Sequence, residues 1–178
     1  MKGLRGDLVL TILSHLITKP VWLITDNLIQ DRLGHESYGL IGALHSFATW
    51  ANVIADWSLS YHITRRVAQP YRAVRAIFSE TLLPKIGLSL FSLGLFLALG
   101  QIVGYVQESF WWLFGLLIYQ ITLAFIQYFR SFFQGAQLFR IDALLGNAEK
   151  GVIIVLLFAL WPYISGSFYI GVLVAGSL

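Results

Sequence analysis

The residues best equipped for chemistry are few, and they recur at regular intervals in apolar surroundings. His15, Lys19, Asp26 and Gln30 are separated by four, seven and four residues. His45, Thr49, Asn52 and Asp56 follow with nearly the same spacing, and Gln120, Gln127 and Gln134 recur every seventh residue. An ammonium attracts anions, a carboxylate takes up a proton or a cation, and amides exchange neutral hydrogen bonds. The makings of an enzyme are missing. No two carboxylates stand at a hydrolase-like spacing, and no H-E-x-x-H, G-x-S-x-G or Walker loop occurs. His15, His35, His45 and His62 are too scattered for a metal cluster. No catalytic residue, metal or cofactor is therefore expected.

Spacings of four and seven place side chains within a narrow arc of a helix that advances about 100° per residue. Three helices must then each carry one polar stripe on an otherwise apolar cylinder. A bilayer core about 30 Å thick requires roughly 20 helical residues to cross it. Spans are expected from Leu8 to Arg32, Tyr38 to Thr64, Ile86 to Tyr105, Phe110 to Phe129 and Ala143 to Trp161. The first is split by Lys19-Pro20 and again by Asp26. A turn from Pro162 to Ser167 leads into an apolar run from Phe168 to Leu178, too short to cross. The fold expected is an all-α, polytopic transmembrane helix bundle of five full spans and part of a sixth, in a chain truncated within that sixth span.

A charge at the bilayer centre costs roughly 2.5–3.5 kcal/mol, so Lys19 and Asp26 together cost about 5–7 kcal/mol if they face lipid. A wetted cavity removes most of that cost, and the stripes are expected to face inward. Lys85 and Lys150, close to helix ends, are expected to snorkel. Asp56 is expected within reach of Arg65 or Arg66. Two roles fit the glutamines: hydrogen bonds between helices, about 0.6 kcal/mol each, or contacts to a polar ligand.

Composition agrees with a lipid environment. The 178 residues are 57% hydrophobic and 12% charged, with mean hydropathy +0.73, whereas soluble domains are about 25% charged. The absence of cysteine excludes disulfides, thiolate catalysis and Cys-based zinc sites. The net charge of +3 reflects topology. Lys2 and Arg5, then Arg65, Arg66, Arg72 and Arg75, then Arg130 and Arg140 fall in alternate connections, which assigns them and the N-terminus to the cytoplasmic side. Trp111, Trp112, Trp161 and Tyr163 then form an aromatic belt at the outer interface. Anionic lipid head groups, and not nucleic acid, are the expected partner of the Arg65 to Arg75 segment.

Four segments carry a resemblance. Leu33-Gly34-His35-Glu36-Ser37-Tyr38-Gly39 resembles the L-G-x-x-x-Y-G turn of polysaccharide and O-antigen lipid flippases, part of the multidrug/oligosaccharidyl-lipid/polysaccharide exporter (MATE-like) superfamily. Ala55-Asp56-Trp57-Ser58-Leu59 resembles the Asp-aromatic-Gly-apolar segment of that family, with Ser58 where glycine is usual. Thr64-Arg65-Arg66-Val67-Ala68 resembles its Thr-Arg-Glu-Val-Ala, with Arg66 in place of Glu. Phe132-Phe133-Gln134-Gly135 resembles its Phe-Gln-Gly segment, with Gln137 where Glu is expected.

The resemblance, from about Val21 to Lys150, implies the N-terminal lobe of a flippase that moves an undecaprenyl-diphosphate-linked oligosaccharide across the bacterial cytoplasmic (inner) membrane by alternating access. Membrane lipids, a polysaccharide polymerase and other assembly proteins are the implied partners. Substrate contacts are then expected from Lys19, Gln30, His45, Asn52, Gln120 and Gln127, with Lys19 facing the diphosphate and Arg32 a weaker basic candidate. Asp26 or Asp56 would couple transport to protons or sodium. A drug or metabolite exporter of the same fold is the first alternative, a membrane-embedded glycosyl or acyl transferase the second, and a structural or regulatory membrane subunit the third.

Overall fold

A computed structural model describes residues 16, 19–21, 23–69, 74–163 and 165–177, so His15 lies outside the described residues. Helix α1 is continuous over residues 23–33, with helix also at 19–21. Gly34, at φ 80° and ψ 152°, separates it from α2 (His35–Asp56). That backbone conformation is essentially restricted to glycine, and it lets a single residue join the two helices.

The buried residues of α2 are Ile41, Leu44, Ala48, Ala51 and Ala55. Their spacing of three or four forms one stripe, and its alanines let α4 and α5 approach closely. The second expected span is not one straight helix. α2 stops at Asp56 because Trp57 (φ 38°) and Ser58 (φ 61°) both adopt left-handed backbone. The chain resumes as α3 (Leu59–Val67), which buries Ser60 and Ile63 and packs on α5.

Helix α4 (Val74–Val103) runs through Pro84 and starts well before the expected Ile86. Proline removes one helical hydrogen bond, but here it does not end the helix. α5 (Tyr105–Gly135) is interrupted at Ser109 (φ −154°, ψ 52°). α6 (Phe139–Ala159), a 3-10 turn (Trp161–Tyr163) and α7 (Gly166–Ser177) follow. The fold is all-α, with no strand among the described residues. Among the described residues, two helices, Val74–Val103 and Ser109–Gly135, are long and apolar enough to cross a membrane. α2, at 22 residues, extends about 33 Å at 1.5 Å per residue.

Polarity across α4 is reversed relative to a helix in water. Thr81, Lys85, Ser89 and Ser92 are buried, while Leu83 is 76% exposed and Leu90 and Phe91 are also exposed. The main core joins α2, α5, α6 and α7 through Leu44, Ala48, Leu116, Leu117, Ile153 and Ile170. A second cluster, Ile63, Ile77 and Tyr128, ties α3 to α4 and α5. The run from Phe168 forms most of α7, seated closely on its neighbours. A Cβ on Gly115 would come within 2.6 Å of Ile170.

Candidate functional site

The polar residues of α2 and α5 meet in a seam. The Gln120 amide donates to Thr49 Oγ1 at 3.2 Å and lies 3.2 Å from His45 Nε2. Asn52 Nδ2 donates to the Gln120 backbone carbonyl at 3.0 Å and to its Oε1 at 3.3 Å. Gln120 is buried. Three of the four α2 stripe residues therefore close on one glutamine. Gln120 links α2 to α5, Gln127 lines open space, and Gln134 lines it while also bonding Asp142 on α6.

Toward the His35 end of α2, a cavity of about 190 Å³ is lined by Asp26, Tyr38, His45, Tyr119 and Tyr169. Asp26 interacts with the Tyr38 hydroxyl and lies within electrostatic range of Tyr169 and His45. One carboxylate facing several phenol groups and an imidazole can hold a proton or a small cation.

Toward the Asp56 end, the break at Trp57–Ser58 turns α3 away from the line of α2. A groove of about 540 Å³ opens there between α2, α3 and α5. Asn52, Asp56, Ser60, Tyr61, Gln127 and Gln134 contribute its polar lining. Asp56 Oδ1 accepts from Ser60 Oγ at 2.5 Å and faces Lys85 Nζ at 3.5 Å. Lys85 also donates to the Ala55 carbonyl at 3.1 Å, and its ammonium lies 5.4 Å and 5.9 Å from the Phe125 and Tyr128 ring centroids.

Lys85 therefore does not snorkel. Its side chain is 0% exposed, because α4 begins early enough to place it against Asp56 and two aromatic faces. Among the described ion pairs, Asp56 is joined to Lys85, and Arg66 pairs with Glu80 at 2.6 Å. Lys19 is exposed and lines neither cavity. Gln30 Nε2 reaches His35 Nδ1 at 3.2 Å across the Gly34 joint, and Arg32 is exposed. Gln134 donates to both carboxylate oxygens of Asp142 at 3.2 Å, where Arg130 also binds at 2.6 Å. Lys85, Tyr38 and Tyr169 were not among the site residues expected. Lys85 had a signal: Thr81, Lys85 and Ser89 repeat every fourth residue on α4.

Residues 4–178 match the sequence model of the family described as polysaccharide biosynthesis protein. The chain belongs to the polysaccharide biosynthesis protein family. This is the polysaccharide and O-antigen flippase family that its motifs resemble, and its members are generally transporters. No curated protein and no solved structure matches the chain. Membership and the apolar helices together mark a membrane protein.

The motifs resembling this polysaccharide biosynthesis family acquire physical roles. Gly34 supplies the backbone turn between α1 and α2, and Tyr38 faces Asp26. Ser58 occupies a left-handed position where the family's glycine would be unstrained. Arg66, replacing an acid, is neutralised by Glu80. Gly135 is required by close packing: a Cβ there would lie 2.6 Å from Val67 Cβ and 2.9 Å from the Thr64 carbonyl. Gln137 is exposed in a left-handed turn.

Proposed function

We propose that the chain forms the N-terminal lobe of a flippase that carries a lipid-linked oligosaccharide across the bacterial cytoplasmic membrane by alternating access. In this reading residues 1–178 supply five spans and part of a sixth, with the N-terminus cytoplasmic, and a second lobe completes a MATE-like bundle. The groove beside Asp56 carries the reading. It gathers amides, hydroxyls and one carboxylate inside a bundle whose outer surface is apolar. Such a lining can hydrogen-bond a polyhydroxylated head group while the lipid tail stays in the bilayer.

Asn52 and Gln127 contact the sugar, with His45 and Gln120 holding Asn52 in place. Gln30 and Lys19 lie nearer the start of the chain, and Lys19 meets the diphosphate. Asp26 or Asp56 takes up the coupling proton or sodium ion. Rocking of one lobe against the other exposes the polar interior to each side in turn.

Full-length protein expressed in a strain lacking its own O-antigen flippase tests this reading. The wild type should restore surface glycan, Lys19→Ala should abolish it and Lys19→Arg should largely retain it. A correctly inserted wild type that restores no glycan refutes the flippase reading. Normal display by Lys19→Ala removes Lys19 from the mechanism.

A further inference from the structure

We propose that the groove beside Asp56 is a subsite for uncharged or N–H-bearing sugars, such as N-acetylated or amino sugars, and that it rejects uronic acids. The inference rests on the flippase reading and adds the class of sugar admitted.

The charge layout of the groove carries the argument. Asn52, Gln127, Gln134, Ser60 and Tyr61 line the groove with neutral groups, the Asn52 and Gln134 amides and the Ser60 hydroxyl being already engaged within the protein, and Asp56 is the charged residue among the described lining. Both described contacts of its carboxylate fall on Oδ1. The Asp56 side chain lines the groove and retains 22% exposure, so its carboxylate can be reached there. An ionised carboxylate accepts from an amide N–H, an ammonium or a hydroxyl.

A sugar carboxylate in the same place would meet a like charge. The nearby cations do not line the groove. Lys85 sits behind Asp56, fully buried and already held by the Ala55 carbonyl and two aromatic rings. Arg65 and Arg66 line a separate pocket with His62 and Gln69, and Arg66 is bound to Glu80. Lys85 is thus a positioning residue that fixes the Asp56 carboxylate, and Asp56 is the group that selects.

The test is a titration of the whole protein in lipid nanodiscs, followed by saturation-transfer NMR. The probes are two lipid-free trisaccharides matched except that one carries an N-acetylhexosamine where the other carries a hexuronic acid. The N-acetylated probe should bind at least about tenfold more tightly, since a like-charge juxtaposition at an interface costs no less than that factor. Asp56→Asn alone strands a buried ammonium, so the comparison variant is Asp56→Asn/Lys85→Met, which removes the whole pair. In it the preference should shrink to about twofold or less once the like charge is gone. Equal binding of the two probes by the wild type, or an unchanged preference in the folded double variant, overturns the selectivity and leaves the flippase reading standing. Failure of the wild type to bind either probe overturns both.

Discussion

Lys85 Nζ lies 3.5 Å from Asp56 Oδ1 and is wholly shielded from solvent, while the Asp56 side chain retains 22% exposure on the groove side. The pair joins the end of α2 to the middle of α4 and is the ionic floor of the groove. Removing one partner of such a pair costs far more than removing both. Lys85→Ala should therefore lower stability by about 3 kcal/mol, and Asp56→Asn/Lys85→Met should be close to neutral. Thermal unfolding in a mild detergent reads the difference. Equal losses for the single and double variants would show that the two groups do not act as a pair.

The left-handed joint gives a prediction of opposite sign. Ser58, at φ 61°, carries a Cβ in a conformation that costs an L-residue roughly 1–2 kcal/mol. Ser58→Gly should raise the unfolding midpoint, with a net gain of about 1 kcal/mol after glycine's greater chain entropy is counted. A lower midpoint would mean that the serine has an interaction offsetting its backbone strain.

Gly135 should tolerate no side chain. An added methyl would press on Val67 Cβ at 2.6 Å and on the Thr64 carbonyl at 2.9 Å, and overpacking of this kind costs about 1–3 kcal/mol. Gly135→Ala should loosen α3 from α5. Val67→Ala should rescue it only in part, because the Thr64 carbonyl is backbone and Val67 Cβ remains. Cysteine cross-linking between α3 and α5 monitors the separation.

Gln120 and Gln127 should fail in different ways. Gln120→Leu deprives Asn52 of its side-chain acceptor and removes the donor to Thr49 and His45. It should cost about 1–3 kcal/mol of stability, the penalty for orphaned buried polar groups. Gln127 lines the groove, so Gln127→Leu should insert and unfold like the wild type while reducing surface glycan in the complementation strain. A Gln127 variant that loses stability instead would place that glutamine with Gln120.

Much of the helical architecture was legible in the residues, because the 3.6-residue period is a local property. It places His45, Thr49 and Asn52 on one face of α2, and they do meet Gln120 across the seam. The same period runs through Thr81, Lys85 and Ser89, but a span expected to begin at Ile86 puts Lys85 at a helix end. In the fold α4 continues across the proline, and the lysine lies mid-helix against Asp56. The approach of Tyr38 and Tyr169 to Asp26 depends on how α1 folds back on α2 and on the packing of α7, far along the chain, and no spacing encodes either. The corner at Trp57–Ser58 was hidden for another reason. Neither residue type ordinarily adopts left-handed backbone, so nothing local announces that α2 ends there.

The reversed polarity of α4 has a practical meaning. Hydrogen-bonding side chains face neighbouring helices, so the choice between oil and water rests on a thin outer coat that includes Leu83, Leu90, Phe91, Ile102 and Trp111. Recolouring that coat with glutamine and glutamate would exchange one solvent for the other while leaving the α2–α5 contacts and the carboxylate–ammonium floor untouched.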